Sequence, residues 1–379
     1  MLPAMKTHRF SLADVLPSSH QSVLGRPNRL GLPAVAKAVV LVADGLGASS
    51  LKARSGHSRT LAPMLSASTT IGAGFPTTTA AAIATITTGT SPGIHGLVGY
   101  TVLDAEHDRI VNQLSGWDAH LDPATWQRAR TVFETAADDG VPSFVVAAER
   151  FRHSGFTAAV LRGADYSSGV SIADKLDRAR AILDSNERAI VYVYVPELDK
   201  AAHSHGWQSS RWTGELEALD RAVRDFVATL RKDEGLVLTA DHGVLDVPEH
   251  AQVLFDTEPE LVDGIRFVAG EPRCLQLHFE PDATEAHRAA VVERWRAAEG
   301  GRAWIATRDE AIESGWFGGA VDDEVAPRIG DILVAARKNI AYYDSRANSQ
   351  QARSMIGQHG SWSPEESNVP LLRFGAYAG

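Results

Sequence analysis

Short apolar runs and amphipathic helical stretches alternate along most of the chain. Runs this short, rich in Val, Leu, Ile and aromatic residues, are typical of parallel strands buried on both faces. They cover residues 38–43, 190–195 and 236–240. Helical patterns lie between and around them at 129–139, 172–186 and 210–232. The alternation predicts an α/β fold with a doubly wound, mostly parallel sheet.

The pattern changes after Asp246. The segments "RCLQLHFEP", "RAWIATRDEAIE" and "DILVAARKNIAYYD" predict a small α+β lobe inserted at 247–346. The core then comprises residues 1–246 and 347–379, with a further core strand in "NVPLLRFGAY" near the carboxyl end. Residues 1–35 are polar and contain several prolines and glycines, so we expect a surface lead-in there.

Charge and cysteine content narrow the functional class. The 379 residues carry a formal net charge of −10 without a Lys/Arg run, which argues against a nucleic acid polymer as partner. The single cysteine, Cys274, excludes an intramolecular disulfide and favours a reducing compartment. No segment approaches the roughly 20 apolar residues that cross a bilayer. We predict a cytoplasmic protein with no membrane partner, and the sequence carries no signal for an oligomeric state.

Acidic residues follow each of the three apolar runs. Asp44, Asp199 and Asp241 stand near the carboxyl ends of the predicted strands, where ligands bind in open α/β sheets. A single Asp at a strand end is more often a turn former or a helix cap. Three together form a carboxylate cluster that is costly without a cation, so the pattern predicts a cation site.

Histidines accompany these carboxylates. His203 follows Asp199 by four residues, which on a helix places both side chains on one face. His242 adjoins Asp241, and His359 lies in the glycine-flanked segment "GQHGSW". Mixed Asp and His ligands fit two Zn²⁺ ions, with Mn²⁺ as an alternative.

Three consecutive threonines, 77–79, follow Pro76 at the start of a helix that we predict over 80–88. Helix capping explains one of them. Next to a pair of metal ions, a threonine at a helix N-terminus can also act as a nucleophile, while the free N–H groups of the helix bind phosphoryl oxygens. The stretch therefore indicates chemistry at phosphorus.

Five motifs, in order along the chain, resemble the alkaline phosphatase superfamily and, within it, the type I phosphodiesterase/nucleotide pyrophosphatase family. They are "VADGLG", "PTTTAAAIATITTGTSPGIHG", "ELDKAAHSHG", "TADHG" and "GQHG". The resemblance covers most of the core and implies an alkaline phosphatase-like fold. It also implies a two-metal hydrolase that cleaves phosphodiester or pyrophosphate bonds through a phosphothreonine intermediate.

The resemblance further implies roles for individual residues. The family's spacing selects Thr79 as the nucleophile and leaves Thr77 and Thr78 to the turn and the helix start. It implies one zinc held by Asp199, His203 and His359, and another held by Asp44, Asp241 and His242. His205, in the same "HSH" segment, is a plausible decoy, since most histidines are structural or exposed.

The sequence departs from nucleotide-cleaving members of the family near the nucleophile. Residues 80–82 are alanines where those enzymes have an aromatic residue followed by Pro-Asn. Tyr100 falls near the position of their phosphate-contacting Asn and is a candidate substrate contact, although a packed aromatic is an equally ordinary explanation. Lys200, and Arg150 or Arg152, are further candidate anion contacts, although such residues are usually solvated.

Several functions stay open at this point. A phosphonate C–P hydrolase similar to phosphonoacetate hydrolase, a phosphomonoesterase and a phosphomutase use a similar set of residues. In each case the substrate is a small phosphorylated or phosphonate compound. A metal-holding or ligand-sensing protein without turnover is the non-enzyme alternative, and the intact nucleophile and ligands weigh against it. We also expect the lobe at 247–346 to cover the metal site and select substrates.

Overall fold

The computed structural model describes residues 2–3, 8–346 and 350–378, and two β-sheets organise it. The strands are β1 (Lys37–Ala43), β2 (Thr70–Gly72), β3 (Thr101–Asp104), β4 (Arg109–Asn112), β5 (Ser143–Ala147), β6 (Asp165–Ser168), β7 (Ala189–Val195), β8 (Glu234–Thr239), β9 (Leu245–Asp246), β10 (Gln252–Leu254), β11 (Ile265–Glu271), β12 (Cys274–Phe279), β13 (Ala303–Thr307), β14 (Ile332–Ala336), β15 (Ala341–Tyr343), β16 (Gly357–Gln358) and β17 (Asn368–Gly375).

Helices surround these sheets. They are α1 (Val15–Val23), α2 (Ala48–Ala53), α3 (Thr79–Thr88), α4 (Pro92–His95), α5 (Pro123–Trp126), α6 (Val132–Asp138), α7 (Gly155–Val160), α8 (Ile172–Ser185), α9 (Glu197–His205), α10 (Ser210–Val227), α11 (Pro259–Val262), α12 (Glu285–Glu299), α13 (Arg308–Glu313), α14 (Gln350–Arg353) and α15 (Pro364–Ser367). None of the helices in the described ranges combines the length and apolar character that a membrane crossing requires.

The larger sheet has the strand order β2-β17-β8-β1-β7-β5-β6. Strand β1 pairs in parallel with β7 and β8, and all seven of its residues are buried. The apolar runs predicted as parallel strands are therefore the centre of this sheet, and the predicted α/β fold class is confirmed. The predicted further strand at the carboxyl end is β17, which pairs antiparallel with β8 and β2.

The smaller sheet has the order β13-β14-β12-β11-β3-β4. Strands β11 to β14 come from the segment 247–346, and α12 packs against them through Trp295, which is fully buried. Two of its strands, β3 and β4, come from residues 101–112, which lie outside that segment. The division into a core and an inserted lobe stays a prediction, and its second boundary, at 346/347, borders residues outside the described ranges.

The prediction that residues 1–35 form a surface lead-in is wrong for helix α1. This helix packs against β1 and α3, and Val15 and Leu16 are fully buried. Its serines are buried as well because they form internal hydrogen bonds: Ser19 Oγ donates to Val15 O at 3.0 Å, and Ser18 Oγ accepts from Leu30 N at 3.2 Å. The polar composition of this segment is compatible with a packed helix, because burying a serine hydroxyl costs little free energy when the hydroxyl is hydrogen-bonded.

Candidate active site

The three parallel strands at the centre of the larger sheet bring the predicted carboxylates together. Asp44 follows β1, Asp241 follows β8, and Asp199 lies on α9 directly after β7. Since the carboxyl ends of parallel strands meet at one edge, residues far apart in sequence become neighbours there. The six predicted ligands form two groups, each with its ligand atoms within 4.8 Å of one another: Asp199, His203 and His359, and Asp44, Asp241 and His242.

The first group lies where α9 meets the loop that contains His359. Asp199 Oδ2 lies 3.2 Å from His203 Nε2, one helical turn away, and Asp199 Oδ1 lies 3.9 Å from His359 Nε2. Burial opposes ionisation of Asp199, but the charge and hydrogen bond of His203 outweigh it and lower the pKa of this carboxyl. For His203, burial is likewise outweighed by Asp199, so the pKa of the imidazole is raised.

The second group lies at the ends of β1 and β8. His242 Nε2 lies 3.5 Å from Asp44 Oδ1 and 3.6 Å from Asp241 Oδ2. Burial and the neighbouring charges of Asp241 and Asp199 raise the pKa of Asp44. Burial and the charge of Asp199 raise the pKa of Asp241 to about 6, and burial lowers the pKa of His242 to about 4. The group concentrates negative charge in a buried place, which a bound cation would stabilise.

Backbone carbonyls orient all three imidazoles. Because a carbonyl only accepts, each neutral ring carries its proton on Nδ1 and turns the Nε2 lone pair toward the carboxylates. The bonds are His203 Nδ1 to Gly357 O at 2.7 Å, His359 Nδ1 to Thr77 O at 2.8 Å and His242 Nδ1 to Gly243 O at 3.1 Å. This is the arrangement in which histidines bind a metal through Nε2.

Three carboxylate oxygens show whether these groups suit a cation. Asp44 Oδ1, Asp199 Oδ1 and Asp241 Oδ2 are buried and accept no hydrogen bond from the residues that the structure describes. The second oxygen of Asp44 accepts a hydrogen bond from the Tyr194 hydroxyl. A buried carboxylate oxygen without a partner is costly unless it coordinates a metal. The two Asp/His groups therefore fit divalent ions such as Zn²⁺ or Mn²⁺.

Thr79 is the first residue of helix α3 and lies beside the second group. Its hydroxyl donates to His242 Nε2 at 3.1 Å. The first N–H groups of an α-helix have no partner within the helix and carry its positive dipole end, so they can bind an anion next to this hydroxyl. Position 79 therefore places a hydroxyl oxygen next to the free N–H groups at the start of a helix.

The other two threonines have different surroundings. Thr78 is the N-cap residue of α3, but its side chain forms no capping hydrogen bond within the described residues. Thr77 precedes the cap and joins α3 to the loop after His359: its hydroxyl donates to Ser361 O at 2.8 Å and accepts from Gly360 N at 3.0 Å. Thr77 therefore does not cap α3, because its hydroxyl bonds to a segment distant in sequence, although it lies in the turn before the helix, where Thr78 N donates to Pro76 O at 2.9 Å.

We expect Thr77→Ala to lower the free energy of unfolding by about 1–3 kcal/mol, because Gly360 N and Ser361 O lose a buried partner. Urea unfolding of the metal-loaded protein measures this loss. Thr77→Ser is the matched control, since it keeps the hydroxyl. An equal loss in both variants would show that the hydroxyl is not the cause.

Two cavities share Thr79, Leu114 and Asp199 in their walls. The aromatic cavity has a volume of about 220 Å³. Its walls include Phe151, Phe156, Tyr166, Tyr192, Tyr194 and Lys200. The Glu271 cavity has a volume of about 460 Å³. Its walls include Thr78, Tyr100, Glu271, Tyr343, His203 and His359. Strand β11 thus brings part of the 247–346 segment to the metal-ligand groups, while selection of substrates by this segment stays a prediction.

The predicted substrate contacts lie in different surroundings. Tyr100, which is 39% exposed, borders the Glu271 cavity, and Lys200 borders the aromatic cavity with its Nζ 5.9 Å from the centre of the Phe151 ring. Neither Arg150 nor Arg152 is among the residues that line the two cavities. Arg150 stacks on Phe151, and Arg152 forms an ion pair with Glu149 at 2.8 Å. His205 is exposed and belongs to neither Asp/His group.

Sequence reasoning missed the aromatic walls and Glu271. Tyr192 and Tyr194 alternate along β7, which places both on one face of the strand, and the "VYVYV" pattern carries this signal. Phe151 lies in the connection after β5 and Tyr166 lies on β6, so no local pattern joins them. Glu271 ends the largely apolar strand "IRFVAGE", where a carboxyl is out of place.

A comparison with known families decides the membership of the chain. The sequence model of the family described as type I phosphodiesterase / nucleotide pyrophosphatase matches residues 38–362. The chain belongs to this family. The family is metal-dependent, in agreement with the two Asp/His groups. A comparison with curated protein sequences gave no match.

Solved structures of phosphodiesterase and phosphonate hydrolase enzymes share the fold of this family member. Human ectonucleotide pyrophosphatase/phosphodiesterase 5 has a TM-score of 0.67 and 16% identity, with 89% of this chain and 88% of that chain covered. An inactive threonine-to-alanine variant of the murine enzyme in complex with AMP has a TM-score of 0.65 and 14% identity, with 90% and 88% covered. Phosphonoacetate hydrolase from Sinorhizobium meliloti, in complex with phosphonoacetate, has a TM-score of 0.68 and 17% identity, with 90% and 91% covered.

Proposed function

We propose that this family member is a two-metal hydrolase that cleaves phosphodiester or pyrophosphate bonds of small molecules, with Thr79 as the nucleophile. The position of the Thr79 hydroxyl carries the proposal. It lies at the N-terminus of α3, 3.1 Å from His242 of the second Asp/His group, and it lines the same two cavities as Asp199 of the first group. The inactivity of the threonine-to-alanine variant of the murine relative supports a threonine in this role.

In this proposal the Thr79 hydroxyl releases its proton to solvent as its oxygen attacks phosphorus. The bond from phosphorus to the leaving oxygen breaks, and that oxygen takes up a proton from solvent. The N–H groups in the first turn of α3 bind the phosphoryl oxygens and retain them as charge develops. A water molecule then hydrolyses the phosphothreonine and restores the hydroxyl.

Asp199, His203 and His359 would hold one metal ion, and Asp44, Asp241 and His242 would hold the other. Ions bound there lower the pKa of the Thr79 hydroxyl and of water and neutralise charge on the phosphoryl group. Zn²⁺ is our first expectation and Mn²⁺ the second, because both accept mixed carboxylate and imidazole ligands.

The two cavities favour a diester over a monoester. A phosphodiester or pyrophosphate carries a substituent on each side of phosphorus, and the cavities that meet at Thr79 offer a place for each. The aromatic cavity suits an apolar or planar group, because its walls are largely aromatic and aliphatic. A monoester leaves one cavity without an occupant.

A panel of substrates tests this function. We expect the Zn²⁺-loaded protein to cleave bis(p-nitrophenyl) phosphate with a kcat/KM about a hundredfold above that for p-nitrophenyl phosphate, since the monoester lacks one bound group. Phosphonoacetate and a dinucleotide pyrophosphate complete the panel, with release of phosphate or nucleotide as the readout. A preference for p-nitrophenyl phosphate would indicate a phosphomonoesterase, and cleavage of phosphonoacetate alone would indicate a C–P hydrolase.

We also infer a cytoplasmic location and a small-molecule substrate in place of a nucleic acid polymer. The single cysteine and the net charge of −10 support these two inferences. The AMP and phosphonoacetate complexes of the structural relatives likewise contain small ligands.

A further inference from the structure

Glu271 is a buried residue in the wall of the Glu271 cavity. It is 6% exposed, and its Oε2 accepts a hydrogen bond from Tyr100 N at 3.0 Å. Its Oε1 accepts no hydrogen bond within the described residues. Gly360 lies beside it without a side chain, and a Cβ at that position would stand 3.1 Å from Oε1. The Oε1 atom therefore has no hydrogen-bond donor within the described residues, and the carboxyl borders the cavity in which a substituent of the substrate would lie.

Among the residues that the structure describes, no Lys or Arg forms an ion pair with this carboxyl. The guanidinium of Arg273, two residues further on, forms an ion pair with Glu366 through hydrogen bonds of 2.6 and 2.8 Å. None of the described residues that line the Glu271 cavity is Lys or Arg. Burial, with a smaller contribution from the charge of Glu366, raises the pKa of Glu271 to about 8, although hydrogen bonds from Tyr100 N and the Thr78 side chain act in the opposite direction. A positively charged group in the cavity would supply the missing partner.

We propose that the Glu271 cavity binds a phosphorus substituent that carries a positively charged amino group, and that Glu271 selects it. An ammonium group donates a charge-assisted hydrogen bond to the unpartnered oxygen, and such bonds are stronger than neutral ones. A carboxylate or phosphate next to ionised Glu271 would bring two negative charges together, and no Lys or Arg among the described wall residues would offset them. This inference rests on the proposed function, because it assumes that a phosphorus ester occupies the site beside Thr79.

Binding to a protein that does not turn over substrate tests the selection. The protein is the Zn²⁺-loaded Thr79→Ala variant, and the probes are methyl 2-aminoethyl phosphate and methyl carboxymethyl phosphate. Calorimetry gives the two values of Kd. We expect the aminoethyl ester to bind about ten- to a hundredfold more tightly, the range for a hydrogen bond to a charged group.

Adding Glu271→Gln should reduce this ratio to about one, because the amide keeps the shape of the side chain and removes its charge. Glu260→Gln, the same change at an exposed residue of α11, is the matched control and should leave the ratio unchanged. If Glu271→Gln does not fold, Tyr100→Lys provides a second route. It introduces a cation at an exposed position of the cavity wall and should also reduce the ratio.

Equal affinity for the two probes, tighter binding of the carboxymethyl ester or a ratio that survives Glu271→Gln would overturn the proposal. These measurements do not depend on turnover. A wild-type protein that cleaves no phosphodiester would contradict the proposed function, and the binding ratio would still decide the role of Glu271.

Discussion

Thr79→Ala should lower kcat by several powers of ten while the metal content and the thermal unfolding temperature stay close to those of the wild-type protein. The substitution removes the oxygen that we expect to form the bond to phosphorus, so the variant cannot form the phosphothreonine intermediate. The structural cost is small, because within the described ranges the Thr79 hydroxyl bonds only to His242, and alanine is a favourable helix residue. Steady-state cleavage of bis(p-nitrophenyl) phosphate measures the loss.

Two variants make this result specific. Thr87→Ala is the same change in the same helix, at a buried hydroxyl that bonds to Ile83 O at 3.0 Å, and should leave kcat close to that of the wild type. Thr79→Ser keeps a hydroxyl and should retain much of the turnover. Near-normal turnover by metal-loaded Thr79→Ala, or a phosphoryl group trapped on Thr77 or Thr78, would show that a different hydroxyl attacks.

The metal ions give the second large effect. We expect elemental analysis of protein purified without chelator to find about two divalent ions per chain, because buried carboxylate oxygens in the two Asp/His groups accept no hydrogen bond from any described residue. Removal of the ions should abolish phosphodiester cleavage, and added Zn²⁺ or Mn²⁺ should restore it. Apo protein should also unfold at a lower temperature, since binding of the ions stabilises the folded state.

Two histidines on α9 provide a matched pair for this experiment. His203→Ala removes a ligand of the first group, so the content should fall to about one ion per chain, in line with loss of one of three protein ligands. His205→Ala changes an exposed histidine two residues away and should leave the content unchanged. A metal-free wild-type protein with full activity would contradict the two-metal proposal, as would equal effects of the two substitutions.

The sequence by itself determined the strands of the central sheet and indicated which residues form the two Asp/His groups. The runs at 38–43, 190–195 and 236–240 are apolar on every face because both sides of the strands are covered, and this property is local to each run. Their order along the chain, together with the five motifs, then indicated which acids and histidines come together. Spacing alone placed the acids at one sheet edge and Asp199 and His203 on one helix face. The resemblance carried by the five motifs implied how the six residues divide into two groups.

Only the tertiary structure decided how the surroundings of Thr79 are built. The Thr77 hydroxyl bonds to residues 360 and 361, the aromatic cavity combines β7 with residues 151–166, and Glu271 reaches the site from the second sheet. The small sheet itself combines β3 and β4 with strands more than 150 residues later. Each of these contacts joins segments distant in sequence, and no periodicity records them, because a pattern within one segment reports only which face is buried and not what covers it.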